Sequence, residues 1–136
     1  MRPLLLDTNA YTALMLGDEQ TLEVLAHAER LLINSVVLGE LLGGFAAGNR
    51  EAQNRALLAK FLDSPRVELL AIGSATADSY ALVYANLRRK GQPFPSNDLW
   101  IAASALENGA ALLTRDAHFC HVEGLRTGRC LQDFLP

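Results

Sequence analysis

Four carboxylates carry the chemical content of this sequence: Asp7, Glu40, Asp98 and Asp116. Carboxylates gathered in one place repel one another, and each raises the pKa of the rest until a cation arrives. A hard divalent ion such as Mg²⁺ or Mn²⁺ prefers oxygen ligands and keeps several of its waters. Clusters of that kind serve hydrolytic phosphoryl transfer, in which the cation lowers the pKa of a water nucleophile and neutralises charge on the phosphate oxygens. Taken singly, each acid also has a plainer reading. Asp98 could complement a helix N-terminus, and Asp7 and Asp116 could accept local backbone N–H bonds at turns. Glu40 resists that treatment. Its helical neighbours Val36, Val37, Leu41 and Gly44 put it on the face expected to pack inward, where an unpaired carboxylate is costly.

These acids need elements to position them. Leu4 to Leu6, between Pro3 and the turn-prone Asp7-Thr8-Asn9, reads as a strand buried on both faces. Helical spacing runs from Ala10 to Leu16, stops at Gly17 and restarts after the N-cap candidate Asp18. Leu31 to Asn34 is a second strand, and Ser35 stands to cap a helix that carries Glu40. A helix from Glu51 to Leu62, a strand from Val67 to Ile72 and a long helix from Ser74 to Lys90 follow. A helix from Asp98 to Glu107 leads into a fourth strand, Ala110 to Leu113, with a weaker fifth near Leu125 to Thr127. Strands alternating with helices predict a three-layer α/β/α sandwich around a short, mainly parallel sheet of four to five strands. The carboxyl ends of parallel strands share the edge where ligands bind, and the four acids fall at that edge.

Composition agrees with such a fold. The 136 residues predict one domain over the whole chain. Leu (26) and Ala (20) far outnumber the 9 Val plus Ile, so helices should dominate around few strands. Twelve Lys and Arg against fifteen Asp and Glu give a net charge of −3, which removes any whole-molecule attraction to nucleic acid. A polyanion would need a local basic patch or a bound cation. Arg88-Arg89-Lys90 is the one basic run, either a solvated helix end or an RNA contact. Leu31 to Gly48 is the longest apolar stretch, but Asn34, Glu40 and paired glycines interrupt it, so no membrane span is expected. The N-terminus lacks a signal-peptide pattern, so a cytoplasmic location with Cys120 and Cys130 reduced is expected.

The residues around the acids resemble PIN-domain nucleases, in particular the VapC-type toxins of toxin–antitoxin pairs. The likeness is carried by Leu5-Leu6-Asp7-Thr8-Asn9, Ser35-x-x-Leu38-Gly39-Glu40-Leu41, Asp98-x-x-Ile101-Ala102-Ala103-x-Ala105 and Leu113-Thr114-x-Asp116-x-x-Phe119. Four motifs in this order span nearly the whole chain. The resemblance implies a PIN-like fold and endoribonuclease activity dependent on Mg²⁺ or Mn²⁺, with RNA as substrate. It implies a homodimer and inhibition by a cognate antitoxin. By position, Asp7, Glu40, Asp98 and Asp116 would be the catalytic, metal-binding acids. Thr114 would orient a carboxylate or water, and Asn9 would be a polar support beside Asp7. Some relatives carry a further acid after the fourth, where this chain has Ala117, His118 and Phe119.

Other readings fit less well. A phosphatase of the haloacid-dehalogenase type needs an acid where Asn9 stands, and a receiver domain needs an acidic neighbour of Asp7 and a late Lys, whereas no Lys lies beyond Lys90. His118-x-Cys120-His121 with Cys130 offers zinc-ligand types at a spacing foreign to common zinc modules. A non-catalytic scaffold of the same fold would have little reason to keep all four acids. An RNA-processing or structure-specific DNA nuclease would use the same site chemistry.

Overall fold

The computed structural model describes residues 1–136. The chain begins with β1 (Leu4–Leu6), α1 (Thr8–Met15), α2 (Glu19–His27), β2 (Leu31–Asn34) and α3 (Ser35–Ala47). It continues through α4 (Glu51–Leu62), β3 (Val67–Leu70), α5 (Ser74–Arg89), α6 (Ser96–Glu107) and β4 (Ala111–Leu113). A 3₁₀ turn at Ala117–His121 precedes β5 (Thr127–Gly128), and a second at Leu131–Asp133 follows it. The five strands form one sheet in the order β3-β2-β1-β4-β5, and all four pairings are parallel.

Every residue of β1, β2 and β4 is buried. Successive strand side chains point to opposite faces, so this burial requires cover on both sides of the sheet. Leu supplies it: Leu4, Leu5 and Leu6 are wholly inaccessible, and they join Leu31, Leu32, Ile33, Leu112 and Leu113 in one core. From α6, Leu99, Ile101, Ala102, Ala103, Ser104 and Ala105 are buried, and the alanines let this helix sit close to its neighbours. Leucine-rich strands are unusual by propensity; burial on two faces outweighs it here.

The ends of elements differ from the sequence reading in instructive places. β3 stops at Leu70 rather than Ile72 because its partner runs out: Asn34 faces Leu70 and the next residue of that partner enters α3. The N-cap of α3 is Asn34, not Ser35. The Asn34 side chain accepts from the Val37 N–H at 2.8 Å, while the Ser35 hydroxyl donates to the Leu70 carbonyl. Asn34 is fully buried and also donates to Ser104 Oγ at 2.9 Å, which ties α3 to α6. β5 lies at Thr127–Gly128, where it can pair with Leu112 and Leu113. Gly109 closes α6 at φ +61°, a conformation L side chains rarely adopt, and returns the chain into β4.

The sheet order reverses direction between β1 and β4. From β1 the chain builds outward through β2 and β3, then returns to the other side of β1 with β4 and β5. In open parallel sheets such a switch point leaves a crevice beyond the carboxyl ends of the two strands. Asp7 follows β1 directly and Asp116 lies three residues beyond β4, so both acids belong to that crevice.

Candidate active site

A cleft of about 250 Å³ opens there, lined by Asp7, Thr8, Asn9, Glu40, Asp98, Ile101 and Asp116. Asp7 is its buried floor, 4% exposed. It is also the N-cap of α1, with Oδ1 accepting from the Ala10 N–H at 2.8 Å. The other oxygen, Oδ2, accepts the Thr114 hydroxyl. Thr114 Oγ1 in turn accepts from the Asp116 N–H at 3.0 Å, so one buried hydroxyl braces two acid positions. Asn9 lines the cleft and is exposed. The support of Asp7 comes from Thr114 and the helix backbone instead.

Glu40 does not sit on an inward face. The buried residues of α3 are Val37 and Leu41, and Glu40 projects from the exposed side at the cleft rim. Its compensation is direct hydrogen bonding: Thr8 Oγ1 donates to Oε1 at 2.6 Å and Asn97 Nδ2 to Oε2 at 3.3 Å. Asp98 lies in the first turn of α6, where the positive end of the helix dipole favours a carboxylate. His118, on the 3₁₀ turn after Asp116, places Nε2 3.0 Å from Asp98 Oδ2 and Nδ1 3.2 Å from Asp116 Oδ1. Its ring stands edge-on to Phe94 at 4.6 Å and stacks on Phe119 at 4.5 Å. Thr8, Asn97 and His118 are site residues that spacing alone does not single out. Thr8 and Asn97 each adjoin an acid in sequence, which is the available signal.

The acids feel one another. Burial raises the pKa of Asp7, against the lowering effect of the Thr114 and Ala10 hydrogen bonds, and the charges of Asp116 and Asp98 raise it further. Burial likewise raises Asp98; His118 lowers it, and Asp116 and Glu40 push it up. Asp98 is thus the acid linked electrostatically to the other three, and Glu40 meets the cluster through it. No three or more His, Cys, Asp or Glu side chains stand close enough together to hold a metal ion directly. An open, oxygen-lined cleft fits a hard cation that keeps much of its water, and does not fit a structural zinc site. Cys120 is exposed and Cys130 partly so, both as free thiols. In the basic run, Lys90 bonds the His121 carbonyl and pairs with Glu123, while Arg88 rests on the Tyr84 ring. Trp100 packs on Tyr80 at 4.2 Å, away from the cleft lining.

Fold and cleft together define a parallel α/β domain with a carboxylate-lined crevice at its switch point. The chain belongs to the PIN domain family, whose model matches residues 4–125. Among curated proteins it is 41% identical over 85 residues to ribonuclease VapC4 of Mycobacterium tuberculosis, covering 62% of this chain and 65% of that relative. It is 33% identical over 95 residues to ribonuclease VapC2 of Rickettsia felis, covering 70% and 69%. Among solved structures, VapBC2 of Rickettsia felis, bound to a DNA fragment from its promoter, superposes with a TM-score of 0.81 at 28% identity over 93% of this chain and 97% of the other. DNA-bound VapBC of Salmonella typhimurium gives 0.82 at 27% identity over 94% and 98%. No helix is long and apolar enough to cross a membrane.

Proposed function

We propose that this chain, acting as a single domain over residues 1–136, is a divalent-metal-dependent endoribonuclease and the toxin of a toxin–antitoxin pair. The observation that carries the reading is the convergence of Asp7, Glu40, Asp98 and Asp116, from four separate segments, on one cleft of a PIN-family fold. Its relatives named as ribonucleases and the solved toxin–antitoxin complexes support the same reading. Asp7, Glu40, Asp98 and Asp116 would hold Mg²⁺ or Mn²⁺, chiefly through its retained waters. When bound, the cation supplies charge neutralisation at the scissile phosphate and a lowered pKa for a water nucleophile.

The protein's own part is preorganisation. Asp7 is fixed by the Ala10 N–H and the Thr114 hydroxyl, Glu40 by Thr8 and Asn97, and Asp98 and Asp116 by His118. Four acids held in place repel an RNA backbone, so substrate docks productively only once a cation offsets their charge. Cytoplasmic RNA is the substrate, a cognate antitoxin the inhibiting partner, and a homodimer the working assembly. An antitoxin Arg that pairs with two of the acids would inhibit by disturbing the cation.

Hydrolysis adds a water oxygen to phosphorus and breaks the bond to the 3′ oxygen, leaving a 5′ phosphate and a 3′ hydroxyl. The 2′ hydroxyl takes no part. A metal-free ribonuclease of the histidine-based kind would instead make a cyclic phosphate. Of the three histidines, His118 is engaged with two carboxylates and His27 with the Glu23 carbonyl, and none, His121 included, lines the cleft. End-group analysis of RNA cut by the purified protein tests this, and a 2′,3′-cyclic phosphate would overturn it. Thr114→Val, which removes the hydroxyl shared by Asp7 and Asp116 at nearly constant volume, is expected to weaken Mn²⁺ binding about ten- to a hundredfold. Titration calorimetry on the folded variant measures it.

A further inference from the structure

The basic run that ends α5 has no part in the cleft chemistry, and its first member ends a stack of flat side chains. Trp100 of α6 packs on Tyr80 with ring centroids 4.2 Å apart. Tyr84, one turn further along α5, lies nearly parallel to Tyr80, at 6.2 Å and an interplanar angle of 13°. The Arg88 guanidinium carbon is 5.6 Å from the Tyr84 centroid, and its Nη1 donates to the Tyr84 hydroxyl at 3.2 Å. Trp100 and Tyr80 are half-buried, whereas Tyr84 is 43% exposed and Arg88 is exposed. Two fixed inner rings thus back an outer ring whose far side carries only a loosely seated cation. Arg88 pairs with no carboxylate.

The stack flanks the acid cleft. The Thr76 hydroxyl donates to Glu107, so the start of α5 meets the end of α6 and the two helices run antiparallel. The Arg88 end of α5 therefore lies beside the start of α6, which carries Asp98, and Lys90 ties that end to the turn bearing His118. The cleft itself is lined by acidic and polar groups apart from Ile101 and offers no flat surface to a base. Unpaired bases stack on aromatic rings, and Arg neutralises the neighbouring phosphates. A purely apolar partner on the same face would bury Arg88 without a counter-charge, which is costly.

We infer that Tyr84, backed by Tyr80 and Trp100, is the platform on which an unpaired base flanking the cleaved phosphodiester stacks, with Arg88 turning from the ring to the adjoining phosphate. Single-stranded RNA is thereby selected over duplex, whose bases have no free face. The inference rests on the nuclease reading above and adds to it the form of RNA taken and the residue that selects it.

The test is fluorescence anisotropy of a short, end-labelled single-stranded RNA, alone and annealed to its complement, in Mg²⁺. Tyr84→Leu keeps an apolar side chain but no flat face, and Tyr84→Phe keeps the ring; each is made in Asp7→Asn so that bound RNA stays whole. With circular dichroism unchanged, Tyr84→Leu is expected to raise the Kd for the single strand about tenfold and to leave the duplex Kd unchanged, while Tyr84→Phe binds the single strand within about threefold of its parent. Equal Kd values for the Leu and Phe variants, or an equal loss on duplex, would overturn the platform. So would a fall in sedimenting mass on Tyr84→Leu, which would assign the stack to contact with a second copy of the chain. All three outcomes leave the nuclease reading standing. Failure of the wild-type chain to cut RNA with Mg²⁺ or Mn²⁺ would overturn that reading, and this inference with it.

Discussion

Asp7→Asn is expected to cut RNA cleavage by at least about a thousandfold, equivalent to some 4 kcal/mol of barrier, while making the metal-free protein more stable. The two effects have one origin. Asp7 is almost fully buried, and burial together with the neighbouring acids disfavours its charge. Asn has the same shape and keeps an oxygen for the Ala10 N–H, so the α1 cap survives. The amide removes the buried charge and its repulsion with Asp98 and Asp116, and the melting temperature in chelator should rise by about 3 °C for each kcal/mol relieved. Loss of activity with a gain in stability separates a functional carboxylate from a structural one. An Asp7→Asn variant that cleaves RNA at the wild-type rate with added Mg²⁺, or that melts lower than wild type in chelator, would remove Asp7 from the catalytic site.

Metal binding is expected to weaken steeply as pH falls. Asp7 and Asp98 both have raised pKa values in the folded, metal-free protein, each chiefly through burial. A cation must displace their protons, so once both are protonated the Mn²⁺ Kd should rise roughly a hundredfold per pH unit, tenfold for each proton. Stability without metal moves the other way. A carboxyl whose folded pKa lies above its unfolded one contributes stability fully below the ordinary carboxylate range. That contribution is lost as pH rises through the folded pKa. The melting-temperature advantage of Asp7→Asn over wild type, measured in chelator, should therefore widen as pH rises. A constant or shrinking gap, or a Kd independent of pH across the acid range, would contradict the assignment of these two groups.

The parallel sheet and its helices are legible in apolar runs punctuated by Gly, Pro and Asp, because two-faced burial leaves a continuous hydrophobic signature that needs no partner to be recognised. Asp7, Asp98 and Asp116 can be placed at the ligand edge for the same reason: each follows or opens an element whose direction the alternation dictates. Pairing at long range is not legible. Strand order, which puts the crevice beyond the carboxyl ends of the paired β1 and β4, is invisible in local periodicity. So is the end of β3, set by where β2 turns into helix. The sequence points Glu40 inward, wrongly, because α3 is apolar nearly all round, and the true partners of that carboxylate, Thr8 and Asn97, lie 32 and 57 residues away. The spacing around His118 suggests only zinc-ligand types, because a ring spanning two acids depends on a 3₁₀ turn too short to leave a periodic trace.

The hydrogen bond from Thr114 to Asp7 closes a loop of 107 residues. The cleft therefore cannot be assembled piecemeal from neighbouring segments. Closing so long a loop precedes any reward from the contacts it brings, which places completion of the cleft late on the folding path. On the ribosome, a growing chain can bury Leu4–Leu6 against β2 long before β4 is made, yet it has no competent centre until the stretch through Asp116 has emerged.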